Sequence, residues 1–157
     1  MASRIEQRLA QLGIQLPGPG APAGNYVPYV QVGALLYMAG QVCRLEGKMV
    51  YAGKVGRDLS VEDGQKAARL CALNLLAQLK AACDGDLDRV ARCVRLAGFV
   101  NCGPDFREQP KVVNGASDLM VEIFGDAGKH ARTAVGVASL PMDSAVEVEA
   151  IFQLRDS

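Results

Sequence analysis

The chain has 157 residues, half of them hydrophobic, which suits one domain with a substantial core. Seventeen basic residues balance seventeen acidic ones, and eight side chains are aromatic Phe or Tyr. That balance lacks the basic excess of a nucleic-acid binder and offers no stacking platform for single strands. The N-terminus, MASRIEQRLAQLG, is too charged for a signal peptide, and no apolar run approaches the roughly 20 residues of a membrane span. The expected location is the cytoplasm. The five cysteines, Cys43, Cys71, Cys83, Cys93 and Cys102, include no C-x-x-C pair and are odd in number. They read as buried, idle thiols rather than a disulfide scaffold or a metal site.

Ser3 can cap a short helix in which Ile5, Leu9 and Leu12 share one face, with Gly13 as its C-terminal stop. Residues 16–24, LPGPGAPAG, form a Pro/Gly linker that cannot continue the helix. Residues 1–25 therefore read as an extension packed on the single domain. Residues 26–32 and 34–38 read as extended. Leu35, Leu36, Tyr37 and Met38 form a continuous apolar run, as in a strand covered on both faces, and Gly40 ends it. Residues 48–51 suit a short strand.

Ser60 opens the longest helix, residues 61–83, apolar around most of its circumference and so in need of a sheet to cover it. Asp84-Gly85-Asp86 breaks it. Residues 90–100 read as a strand with imperfect alternation, which implies a bulge or a helical start. Pro110 opens a second helix whose apolar face is Val112, Val113, Ala116, Leu119, Met120 and Ile123, ended by Gly125 and Gly128. Residues 132–138 and 145–154 alternate as two closing strands. The order predicts an α+β fold: two helices on one face of a mixed sheet, with the short N-terminal helix added.

Arg132 stands at a strand start on a face otherwise made of Ala134, Gly136 and Ala138. Small neighbours leave room for a ligand, and the planar guanidinium suits a carboxylate; a surface ion pair is the alternative. Glu147 and Glu149 share one face of the last strand, where a carboxylate can position water or move a proton, or can simply face solvent. Asn114 lies one turn into the second helix and can bond a ligand, the backbone or water. His130 has no Cys, Asp or Ser at motif spacing and reads as a loop histidine. Gly53-Lys54-Val55-Gly56 lacks the rest of a phosphate loop and reads as a turn.

Four segments, YVPYVQVGALLYMAGQ, GKVGRDLSVEDGQKAARLCALNLLAQLK, VVNGASDLMVEIFG and HARTAVGVASLPMDSAVEVEAIF, resemble the RidA/YjgF (L-PSP endoribonuclease-like) family over nearly the whole chain. The last is the most specific, joining an Arg-Thr strand start, a Leu-Pro turn and a V-E-V-E-A strand. The Ser3 to Pro17 opening resembles a longer, less characterised branch. The resemblance implies a chorismate-mutase-like fold and a homotrimer with clefts between subunits. It implies hydrolysis of reactive 2-imino (enamine) acids, such as 2-aminoacrylate/iminopyruvate, to 2-keto acids and ammonia, without a cofactor.

By the same resemblance, Arg132 matches the arginine that holds the substrate carboxylate and Glu147 the acid that positions water or shuttles a proton. Asn114 matches a pocket asparagine, Tyr26 the tyrosine closing the pocket, and Gly40 a backbone contact. Two positions depart from the pattern: Ala39 replaces a serine, and Ala134 a cysteine. That pocket wall also fits a protein that binds a small carboxylate, such as a keto acid, without turnover. If the last two strands form a hairpin, residue 136 faces 147 and Arg132 lies about 13 Å from Glu147. The pair then has to meet through side-chain reach, a non-hairpin strand order or a neighbouring subunit.

Overall fold

A computed structural model describes residues 2–156. The elements run α1 (Arg4–Gln11), β1 (Tyr29–Val32), β2 (Leu35–Val42), β3 (Arg44–Leu45), β4 (Lys48–Met49), α2 (Val61–Ala82), β5 (Val90–Asn101), α3 (Gln109–Phe124), β6 (Ala131–Val137) and β7 (Val146–Leu154). One sheet has the order β1-β2-β7-β5-β6, and β3-β4 is a separate ribbon. Only β5 and β6 pair in parallel; α3 makes the crossover between them. The mixed sheet and the helices on one of its faces agree with the sequence.

The caps are where the side chains put them. Ser3 Oγ accepts from the Glu6 amide, and Ser60 Oγ from the Asp63 amide at 3.0 Å. Asp88 adds a long-range cap, its carboxylate accepting the Arg4 and Ile5 amides and tying α1 to the domain. Ile5 and Leu9 are buried in the common core. The inner faces of α2 and α3 bury Leu75, Leu76, Leu79, Val112, Leu119 and Met120 against Leu96, Val148 and Phe152 of the sheet. The two helices approach closely at Gly115, where a Cβ would collide with the Gln65 carbonyl.

Three expectations change. Strand β2 does not end at Gly40; a register shift between Met38 and Gln41 carries it through to Val42. The apolar run is not covered on both faces either: Leu36 and Met38 are buried, whereas Tyr37 is 44% exposed on the open side of the sheet. And the last two strands are not a hairpin, because β5 lies between them. The irregular alternation of β5 comes from register shifts at Val90/Arg92 and Cys93/Arg95, the bulge alternative; the strand is helical nowhere, and a 3-10 turn at Leu87–Arg89 precedes it. All five cysteines are free and buried. The Gly53–Gly56 segment is a turn, both glycines having positive φ, and the Lys54 ammonium donates to Asn101 Oδ1 and the Ala138 carbonyl.

Candidate functional site

The sheet register fixes where Arg132 and Glu147 stand. Leu96 pairs with Arg132 on one side and Ala150 on the other; Phe99 pairs with Val135 and Glu147. Arg132 and Glu147 are thus two strands and three residues apart, about 14 Å between backbones. Alternation then sends them to opposite faces. Arg132 shares the helix-side face with buried Leu96 and reaches α3, while Glu147 points away from its buried neighbours Val146 and Val148. The candidate residues therefore form two groups within one chain.

The first group is built on β6 and α3. Arg132 Nη1 donates to Asn114 Oδ1 at 2.7 Å and to Ser117 Oγ at 3.2 Å. Asn114 and Ser117 are one turn apart on α3, so one helix face presents both acceptors. Ser117 Oγ also lies 2.8 Å from His130 Nε2, and His130 Nδ1 lies 2.7 Å from the Gly128 carbonyl. A consistent assignment has Nδ1–H donating to Gly128, Ser117 O–H donating to Nε2, and Ser117 Oγ accepting from Arg132. His130 is thus not merely a loop residue; it orients the serine that supports the arginine. All of Arg132's partners are neutral, and no carboxylate lies within 4 Å of it among the described residues. Its full charge remains for an anion. Ala134, two residues on along the same face, presents only a methyl group there and packs against the core.

The second group surrounds Glu147. Its carboxyl lies where a Cβ on Gly40 would sit at 3.1 Å, so the absent side chain at 40 is what admits it. A small cleft joins Glu147 to Tyr26, Pro28, Gly40 and Met142, with residues 20–23 of the Pro/Gly linker as its outer wall. Burial, and secondarily the neighbouring Glu149 charge, push the Glu147 carboxyl above its ordinary value. Ala39 holds the approach through its backbone, its amide donating to the Pro28 carbonyl at 2.9 Å. Sequence reasoning missed Ser117 and His130. The signal for Ser117 was its one-turn spacing from Asn114; nothing local marked His130. Among the described residues no group of three His, Cys, Asp or Glu side chains is placed to hold a metal ion, and no helix is long and apolar enough to cross a membrane.

The mixed five-stranded sheet, the crossover helix and the edge-strand arginine define a YjgF-type α+β protein. The chain belongs to the YjgF/chorismate mutase-like, putative endoribonuclease family, whose profile matches residues 6–154. It is 49% identical to the Trypanosoma cruzi protein TCP17, over 99% of this chain and 97% of that one. A crystal structure of a protein of unknown function from Agrobacterium tumefaciens superposes with a TM-score of 0.90 at 48% identity, covering 96% of this chain and 92% of the other. A more distant relative is a 2-iminobutanoate/2-iminopropanoate deaminase from Dermatophagoides farinae, 28% identical over 90% of this chain and 95% of its own.

Proposed function

We propose that the protein hydrolyses reactive 2-imino acids to 2-keto acids and ammonia, in clefts between the subunits of a homotrimer. The observation that carries this reading is the division of the site: a charged, unneutralised Arg132 held ready by α3, and a Glu147 whose carboxyl is pushed above its ordinary value by burial and which the same chain keeps on the opposite face. Each is half of a carboxylate-plus-acid site, and a neighbouring subunit supplies the other half. Exposed Val30, Val32, Tyr37 and Val135 on the open sheet side supply apolar surface for such packing. The likeness to a mite imine deaminase supports the substrate class.

In this reading Arg132 of one subunit binds the substrate carboxylate, fixing C2 beside Glu147 of the next. Water oxygen bonds to C2 as the C=N π pair moves to nitrogen. Glu147 takes the water proton and returns it to that nitrogen. The carbinolamine then collapses: Glu147 takes its hydroxyl proton and passes a proton to the nitrogen, the C–N pair leaves with that nitrogen as the C=O forms, and ammonia departs from the keto acid. Every group this requires belongs to the protein, the substrate or water, so no cofactor enters. The substrate is a free cytoplasmic metabolite, with no nucleic-acid or membrane partner.

The test is keto-acid release from freshly generated 2-aminoacrylate. The purified protein accelerates it and Arg132→Ala loses the acceleration; equal rates with and without Arg132 contradict the reading. One observation favours a second reading, a keto-acid binder without turnover: Ala39 and Ala134 leave the pocket without a hydroxyl or thiol at those positions. Calorimetric binding of a keto acid with no imine hydrolysis would select it.

A further inference from the structure

The Glu147 group includes a cation that the carboxylate clamp does not use. Arg44 follows the end of β2 and lines two adjoining clefts. The inner one, of about 220 Å³, it shares with Glu147, Tyr26, Gly40 and Gln78. The outer one, of about 560 Å³, is walled by residues 17–21 and by Asn74.

The surroundings of Arg44 are built. Asn74 on α2 donates to the Arg44 carbonyl at 2.8 Å and to the Val42 carbonyl at 3.0 Å, fixing the backbone that carries it. One turn on, Gln78 is 3% exposed and its amide donates to the Gly20 carbonyl at 2.7 Å. A buried amide committed to a linker carbonyl ties Gly20 to α2 beside the cleft that Arg44 lines. The Pro/Gly linker is thus a wall of this cleft.

The guanidinium has no acid partner. Among the described residues no carboxylate lies within 4 Å of it. Glu147 shares the inner cleft and Glu46 lines the outer one, both beyond ion-pair distance. A partly buried arginine in a cleft with no carboxylate partner is matched to a carboxylate arriving with a ligand. One carboxylate of the substrate is already taken by Arg132.

We propose that Arg44 receives a second, distal carboxylate, so that the site prefers short dicarboxylic 2-imino acids over neutral ones. This rests on the deaminase reading for its chemistry, but not for its binding preference. Calorimetry of the full chain with 2-oxoglutarate and 2-oxopentanoate compares two keto acids of equal chain length that differ in the distal carboxylate. The dicarboxylate is expected to bind about tenfold tighter, and Arg44→Gln to bring the two affinities together. Arg44→Lys, which keeps the charge but not the planar fork, retains part of the difference.

Equal or tighter binding of 2-oxopentanoate overturns the proposal. So does a preference that survives in Arg44→Gln with an unchanged melting temperature, or failure of both acids to bind. Hydrolysis of the corresponding imines separates the two claims. Turnover without discrimination leaves the deaminase reading and removes this one. Calorimetric discrimination without turnover does the reverse.

Discussion

Arg132 Nη1 donates to Asn114 Oδ1 at 2.7 Å, joining the edge strand β6 to the second turn of α3. The amide is neutral, so it orients the guanidinium without consuming its charge. Asn114→Ala is expected to raise KM for an imino acid about tenfold, with a smaller effect on kcat, because the clamp loses its aim but not its charge. Asn114→Asp is expected to do worse than Asn114→Ala. It places a carboxylate where the amide was, and that carboxylate competes with the substrate for Arg132. Steady-state kinetics on both variants checks the order.

His130 acts through Ser117. With Nδ1–H committed to the Gly128 carbonyl, its Nε2 fixes the serine hydroxyl whose lone pair faces Arg132. His130→Ala is expected to raise KM by a few-fold, about 1 kcal/mol or less, and Ser117→Ala to match it. The double variant is expected to be no worse than either single one, since both break one chain of contacts. Additive effects would separate the two residues.

Glu147 links activity to stability. Its carboxyl titrates above the ordinary glutamate value because burial disfavours the charge. A raised carboxyl pKa costs stability above that value and nothing below the ordinary one, since only the ionised form is penalised. Glu147→Gln should therefore melt at a higher temperature than the parent at neutral pH. The two should converge as pH falls below the usual carboxylate range. The same change is expected to lower kcat about 100-fold, the contribution typical of a positioned proton carrier.

Gly115 sets the distance between α2 and α3. A methyl group there meets the Gln65 backbone carbonyl, which cannot swing aside as a side chain can. Gly115→Ala is expected to cost about 3 kcal/mol in denaturant unfolding, although alanine is the better helix former. A neutral or stabilising result would mean that the helices are not held this closely.

Much of the first group was legible in the sequence. The small residues beside Arg132 on its strand and the apolar face of α3 were both readable from spacing, but that Arg132 reaches α3 was not. The Ser60 cap and the apolar face of α3 were equally plain, because caps and periodicity are local. The strand order was not. Whether β6 pairs with β7 or with β5 depends on contacts between residues far apart in the chain, and alternation in β6 and β7 reads the same either way. For that reason the separation of Arg132 from Glu147 was foreseen but its geometry was not. The β2 bulge at Gly40 was hidden too, since a glycine after an apolar run reads as a stop. Nothing in LPGPGAPAG indicated a cleft wall; that follows from one long-range bond, Gln78 to Gly20.

The proposed assembly makes one experiment decisive. Arg132→Ala and Glu147→Gln homo-oligomers are each expected to be inactive in imine hydrolysis. Co-assembled in equal amounts, they place an intact Arg132 opposite an intact Glu147 at about a quarter of the clefts if subunits mix at random. The activity of the mixture should then return to about a quarter of the parent protein's, while the unmixed variants stay at background. A mixture that remains inactive after verified subunit exchange would contradict a site divided between subunits.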